Sequence, residues 1–360
     1  MSRFKSLVLS NFLLHISAAT ILHSAFIRTG NIYKKLASIC FPLAAMFALS
    51  GCAAIQIKLG SRVDLAKLPV SSIQVSQFKG PGIAPGKKSS LVVKLTQPDG
   101  TVLTSEGKGH GKVLWRDLAV APSVVTANKK GVVSLASDPR ISEGKSPHVT
   151  VTVPSHPDLH ADLDIPLRYD RAFTATFSGF SGSSGFDGQS GMDGSSGMSG
   201  STDPNNPSAG GNGSDGSNGT DGGNGSDGDD GPPVKVLVTL KASDHPLLQV
   251  SVSSGHTENF FLVDPQGGTL TVKSLGGSGG AGGKGGRGGS GGSGGSGSPS
   301  GSNGRDGSSG QDGRNGSDGR GGSITVTYDS SAKAYLGALH LLNNFGPHPV
   351  LTEGKVGPLW

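Results

Sequence analysis

The sequence predicts a mainly β protein: a β-sandwich followed by glycine-triplet repeats that carry short β-hairpin inserts. Three observations predict it. Between about residues 60 and 170, short apolar runs alternate with polar residues and are punctuated by turns. Glycine, 61 of 360 residues, recurs at every third position in four later segments. Aromatic residues at 5% and apolar residues at 33% are too few for one ordinary core across the whole chain.

The elements follow in chain order. Residues 1–51 read as a secretory leader, because Lys34 and Lys35 precede the apolar stretch "LASICFPLAAMFALSGCAA", which ends in small residues. A second apolar patch lies within residues 1–33 and makes this leader long, which points to a start site later than Met1. The stretch "LSGC", Leu49–Cys52, resembles the lipobox of bacterial lipoproteins. That resemblance implies cleavage before Cys52, lipidation of its thiol with diacylglycerol, and often acylation of the new amino group. Two or three acyl chains then hold the protein on a membrane. Ala53 follows where a retention signal would place aspartate, so the resemblance implies transport to the outer membrane of a diderm bacterium. An uncleaved transmembrane helix is the alternative, and the shortness of the apolar run weighs against it.

Removal of the leader changes the charge. It carries five of the 31 basic residues and none of the 26 acidic ones, so 26 of each remain. With no basic stripe interleaved with aromatics, a nucleic-acid partner has no electrostatic support. Cys40 leaves with the leader and Cys52 is lipidated, so the mature chain has no disulfide.

Residues 60–176 carry the sandwich. "SSIQVSQF" places Ile73 and Val75 on one face, "SLVVKLTQPDG" runs into a Pro-Asp-Gly turn, and "GVVSLAS" and "HVTVTVP" follow the same pattern. In "LHADLDIPLRY", Leu159, Ala161, Leu163, Ile165, Leu167 and Tyr169 share one face, and Pro166 marks an edge. Trp115 is the expected core anchor. On its strand rhythm and the "PDGT" turn, the block resembles the immunoglobulin-like domains of bacterial surface proteins.

Two glycine-triplet regions follow, 177–231 and 276–322. Within them glycine keeps phase from Gly179 to Gly200, Gly210 to Gly231, Gly276 to Gly297 and Gly301 to Gly322, four runs of 22 residues. A period of three suits the left-handed threefold helix, in which a glycine edge admits another backbone closely. Three arrangements accommodate it: a polyglycine-II-like bundle within one chain, a collagen-like homotrimer, and a disordered tether. The repeats resemble bacterial collagen-like repeats in segments such as "GFDGQSGMDGSSG", yet the runs contain no proline, which collagen uses to stiffen its chains. Run three, "GGSGGAGGKGGRGGSGGSGGSG", has two glycine edges and is expected in the interior, with the other three peripheral. "STDPNNPSA" and "SPS" are expected reversals. Eight aspartates in 179–231 face Lys284, Arg287, Arg305, Arg314 and Arg320 in 276–322, so the two halves should attract. The β-rich insert 232–275 and the C-terminal cap 323–360, where a short helix leads into a strand, are expected to close the ends of the bundle.

Candidate chemistry is sparse. The aspartates of "GSDGSNGTDGGNGSDGDDG" fit neither of the familiar calcium-loop spacings and read as a solvated acidic face, with Asn-Gly as turn-tolerant filler. His156 and His160 are four apart in strand-like text around Pro157, which does not place a metal pair on one helix face. "GKGHGK", Gly107 to Lys112, lacks the spacing of a phosphate loop. No metal, cofactor or catalytic motif is indicated. The expected function is therefore non-enzymatic: a lipid-anchored cell-surface protein of structural or adhesive role, whose partners are the membrane, through Cys52, and cell-surface, matrix or polysaccharide ligands. The alternative is an envelope hydrolase or ligand-binding module with its site in the 232–275 insert, uniting Asp244, His245, His256 or Asp264.

Overall fold

A computed structural model describes residues 56–57, 60–241 and 245–360. The leader with Lys34, Lys35 and Cys40, the Leu49–Cys52 lipobox, Ala53, and Asp244 of the insert lie outside the described residues. The fold is mainly β, in four sheets that surround two apolar cores.

The first core takes strands β1 (Ser72–Gln77), β2 (Lys88–Thr96), β3 (Val102–Thr104), β4 (Ala119–Ser123), β5 (Thr126–Ala127), β6 (Val132–Ser134), β7 (His148–Val153) and β8 (His156–Asp164). One sheet has the order β1-β2-β6-β5, with β3 also on β2; the other has the order β4-β7-β8. The period-two alternation decides which residues enter. In β7, Val149, Val151 and Val153 are fully buried, while Thr150 and Thr152 remain half-buried on the opposite face. Strand β8 is an edge, as Pro166 suggested, and it stops at Asp164 before that proline. Trp115 is buried, on a 3-10 turn, Trp115–Asp117, instead of a strand. Gly131 lies against its ring: a Cβ there would come within 2.0 Å of Trp115 Cζ2, and its φ of +66° already favours glycine.

The second core corrects one boundary. Residues 172–176, expected in the first sandwich, lie in β9 (Ala172–Ser178), which pairs in parallel with β13 (Thr269–Leu275) and buries Phe173 and Ala175 among the second cluster. Strands β10 (Val234–Lys241), β11 (Leu247–Ser254) and β12 (Thr257–Val263) form an antiparallel meander. Parallel neighbours β14 (Ile324–Tyr328) and β16 (Val350–Glu353) extend it to the order β12-β11-β10-β14-β16. The facing sheet is β15-β13-β9, with β15 (Leu339–Leu342) following directly on a 3-10 helix, Ser330–Ala338. Pieces that each bury too little alone thus share one core. Val234, Val236 and Val238 of β10, Leu270 and Val272 of β13, and Ile324 and Val326 of β14 all lie in it.

Each glycine run continues from or into one of these strands. Run one leaves β9, run two enters β10, run three leaves β13 and run four enters β14. The parallel pair β9/β13 matches residue i to i+97, as in Ala172 with Thr269, and β10/β14 matches i to i+90, as in Val234 with Ile324. The runs keep both offsets. Lys284 N–H bonds Asp187 across 97 positions, and Arg320 N–H bonds Asp230 across 90. The sheets therefore set the register in which the runs lie.

Backbone hydrogen bonds at every third residue tie the runs together. Run one donates to run three from Gly182 to Ser278 and from Gly185 to Ala281, both at 2.8 Å, and onward to Gly200 and Ser296. Run two donates to run four from Gly213 to Ser302 at 2.9 Å and to run one from Ser214 to Ser195 at 2.9 Å. Run three donates to run two from Gly280 to Ser226, and run four to run three from Gly304 to Gly292, both at 2.8 Å. Runs one and three therefore point one way and two and four the other, with reversals at 201–209 and 298–300 as expected. Run three bonds all three others and buries the second glycine of its triplets, including Gly280, Gly286 and Gly292. Run two also bonds all three others through its backbone, contrary to the expectation that it is peripheral.

Candidate binding surface

Glycine supplies N–H donors on one edge of each run, and the residues between glycines bring donors of their own that need acceptors. Run two provides them in two rows. Its third triplet positions are all Asn or Asp, and their Oδ1 atoms accept from the backbone of run four: Asn212 from Ser302, Asp215 from Arg305, Asn218 from Ser308, Asp221 from Gln311, Asn224 from Arg314, Asp227 from Ser317 and Asp230 from Arg320, at 2.6–2.9 Å. Its second positions supply hydroxyls to run one: Ser214 to Ser195 N–H, Ser217 to Met192, Thr220 to Gln189 and Ser226 to Ser183. Run four repeats the device toward run three, with Asn303, Asp306, Asp312, Asn315 and Asp318 as acceptors.

These bonds correct two readings. The aspartates and the Asn-Gly pairs are fasteners between runs, and not simply a solvated acidic face or filler. Attraction between the two halves takes the form of carboxylate-to-backbone bonds, since among the described residues no ion pair joins the aspartates of 179–231 to the cations of 276–322. The missed signal was positional: in run two, Asn or Asp stands immediately before every in-phase glycine from Gly213 to Gly231.

Run one presents the feature most unlike an ordinary surface. Phe180, Phe186, Met192 and Met198 are 83%, 89%, 81% and 87% exposed. They fall six residues apart, all at the second triplet position. At about 3.1 Å rise per residue, neighbours stand roughly 19 Å apart along one edge. They stand singly and do not form one contiguous apolar patch; their even repeat along a single edge is what distinguishes run one from the other three. The sequence pattern F-x5-F-x5-M-x5-M carried the signal, and reading for period three alone passed over it.

The other singled-out residues are spread over the fold. His156 Nε2 bonds the Leu68 carbonyl at 2.9 Å and its Nδ1 lies 3.0 Å from Ser155 Oγ, while His160 is exposed on edge strand β8. Gly107–Gly109 of "GKGHGK" form a 3-10 turn that ends at His110 in the left-handed region. His245 and Asp264 line one open cavity of about 460 Å³ with Asp170 and Tyr169, and His256 is at the β11–β12 turn. An unforeseen cross-strand cluster joins β7 to β8: His148 donates to Asp164 at 2.8 Å and meets Asp162 at 3.1 Å, and Thr150 Oγ1 donates to Asp162 at 2.7 Å. The Asp164 bond first, then the Asp162 bond, holds the imidazole pKa above its ordinary value.

Among the described residues no group of three or more His, Cys, Asp or Glu side chains is arranged to hold a metal ion, and no helix is long and apolar enough to cross a membrane. No family model matches the chain, and no curated protein matches it.

Proposed function

We propose that this chain is a non-enzymatic, lipid-anchored cell-surface protein with a structural or adhesive role, carried to the outer membrane and held there through acyl chains on Cys52. In this reading an immunoglobulin-like β-sandwich stands nearest the anchor, and the four runs form a polyglycine-II-like bundle within one chain. Support for a single chain over a collagen-like homotrimer comes from the donors: the glycine edges of all four runs are occupied by partners from the same chain.

The observation that carries the adhesive role is the row of Phe180, Phe186, Met192 and Met198, held at even spacing on a hydrogen-bonded framework. Apolar groups on a pre-ordered framework lose little conformational entropy when they bind. The test is attachment of the full chain to whole cells, to envelope polysaccharide and to extracellular matrix, compared with a variant carrying Phe180→Ser, Phe186→Ser, Met192→Ser and Met198→Ser. All four side chains are exposed, so the variant should keep its fold. Loss of attachment in the variant supports the reading, and equal attachment to every surface overturns it. A ligand-binding site in the 232–275 insert is the second reading, favoured by the shared cavity of His245, Asp264 and Asp170.

A further inference from the structure

A separate concavity lies where the two cores approach each other. Ile83, which belongs to the first core, and Ala84, which packs in the second, form its floor. Its volume is about 540 Å³. Five cationic side chains line it, brought from four places in the chain: Lys79 from the loop after β1, Lys87 and Lys88 from the start of β2, Lys108 from the 3-10 turn Gly107–Gly109, and Arg171 from the approach to β9. None of the residues lining it is acidic.

These cations are exposed and repel one another only weakly through water, and an anion placed between them would be attracted by all of them. Some basic side chains elsewhere find carboxylates, as Arg62 meets Glu106 at 3.2 Å and Lys333 meets Glu353 at 2.9 Å, while others, such as Lys94 and Lys112, have none among the described residues; what sets the concavity apart is that its cations gather around one space. Around the concavity, the four lysines have no carboxylate within 4.0 Å among the described residues. Arg171 Nε is 3.9 Å from Asp170, whose carboxylate is already engaged by both Arg168 nitrogens. The Lys108 ammonium lies 5.5 Å from the centre of the Phe78 ring, a cation–π contact that keeps it at the rim. Walls of low dielectric around charges of one sign focus the field into the space between them.

We propose that this concavity binds an oxyanion of the phosphate class, held by charge-assisted hydrogen bonds from the lysine ammonium groups and the Arg171 guanidinium. Phosphate matches the site better than a lone carboxylate, because several cations converge from different sides and a phosphate group offers three acceptor oxygens. The group can belong to a soluble phosphorylated molecule or to a lipid headgroup, and the two sources are separable.

The experiment uses the full chain carrying Cys52→Ser, so that acylation cannot itself bring it to a bilayer, and the same chain with Lys88→Gln and Lys108→Gln added. Both lysine side chains are exposed and have no carboxylate partner among the described residues, and Lys108 gives up only an exposed contact with the Phe78 ring, so thermal unfolding midpoints close to the parent's are expected. Inorganic pyrophosphate is titrated calorimetrically, and flotation is measured with vesicles of phosphatidylglycerol and of phosphatidylcholine. Saturable one-to-one pyrophosphate binding, weakened about tenfold or more in the double variant and by added salt, is the expected result. Preference for phosphatidylglycerol that disappears in the double variant assigns the group to a lipid headgroup, and its absence alongside pyrophosphate binding assigns it to a soluble molecule. Pyrophosphate binding that is absent, unsaturable or equal in the two proteins overturns the proposal, unless phosphatidylglycerol preference is lost in the double variant. A preference that survives the substitutions belongs to the basic leader and lends the site no support.

Discussion

Glycine at every third position is set by contact distance, and the positions differ in what they tolerate. At Gly286, a Cβ would come within 1.9 Å of the Gln189 carbonyl oxygen, so any side chain there forces two runs apart. Gly286→Ala is expected to destabilise the protein by about 3 kcal/mol through overpacking and broken backbone bonds, read as a lower urea midpoint. Gly223 is out of phase and behaves differently. A Cβ there would lie 3.1 Å from Phe186 N, 3.5 Å from Phe186 O and 3.7 Å from Gly185 Cα, a far looser fit, and it occupies the position from which Ser214, Ser217, Thr220 and Ser226 give hydroxyls to run one. Gly223→Ser should let a hydroxyl accept from Phe186 N–H and also restrict the unfolded chain, raising stability by about 0.5–1 kcal/mol in the same measurement. The His148 cluster makes the residue-scale prediction for pH. Its folded pKa is raised, so its stabilisation is complete below the ordinary value of 6.5 and is lost as pH rises through the folded value. Asp162 is depressed, by Thr150 first and His148 second, so its contribution is lost at the acid end, as pH falls through its folded value. Unfolding midpoints of the wild type and His148→Gln, compared across pH, should converge as pH rises above about 6.5. A constant difference over that range would mean that His148 acts by packing alone.

At the scale of elements, the strands were legible and their partners less so. Alternation in "HVTVTVP" and "LHADLDIPLRY" located β7 and β8, because one buried face leaves a period of two in the sequence. Strand β9 did not stand out within the 60–176 block, and its partner β13 lies 97 residues away; no local pattern encodes so long a parallel pairing. The glycine runs show the same division. Period three and the double glycine edge placed run three in the interior, whereas the role of Asn and Asp depends on what lies beside them. Asn218 gives the test of that role. Asn218→Asp keeps the oxygen that accepts from Ser308 N–H and should leave stability within about 0.5 kcal/mol. Asn218→Ala removes it and should cost about 1 kcal/mol. Amide exchange adds a local readout, since only the alanine variant should lose protection at Ser308. The apolar row on run one was written in the sequence at period six, and a concavity assembled from Lys79, Lys88, Lys108 and Arg171 was not, because its members are brought together only by the folded loops.

For the whole molecule, the shared offsets of 97 and 90 mean that the second core and the glycine runs are one registered object. A parallel pair in the sheet fixes where its two runs begin, and the runs then carry that alignment outward residue by residue to the reversals at 201–209 and 298–300. Equal run length follows as a requirement, because all four runs must reach those reversals together. Deleting one triplet from run three alone, residues 287–289, keeps the glycine phase but shifts everything beyond it by one bonding step. The bonds of run three to all three neighbours near the reversals would then be mismatched, and acceptors such as Asp193, which takes Ser290 N–H, would face the wrong donor. Removing one triplet from each of the four runs at the same height shortens the object without mismatching it. The single deletion is expected to lower the unfolding midpoint and lose amide protection selectively beyond the deletion, with the sheets left intact. The matched fourfold deletion should recover most of both, and its scattering profile should be that of the parent protein shortened by roughly 9 Å. If the single deletion were as stable as the matched one, the runs would be sliding past each other freely, and the sheets would not be setting their register.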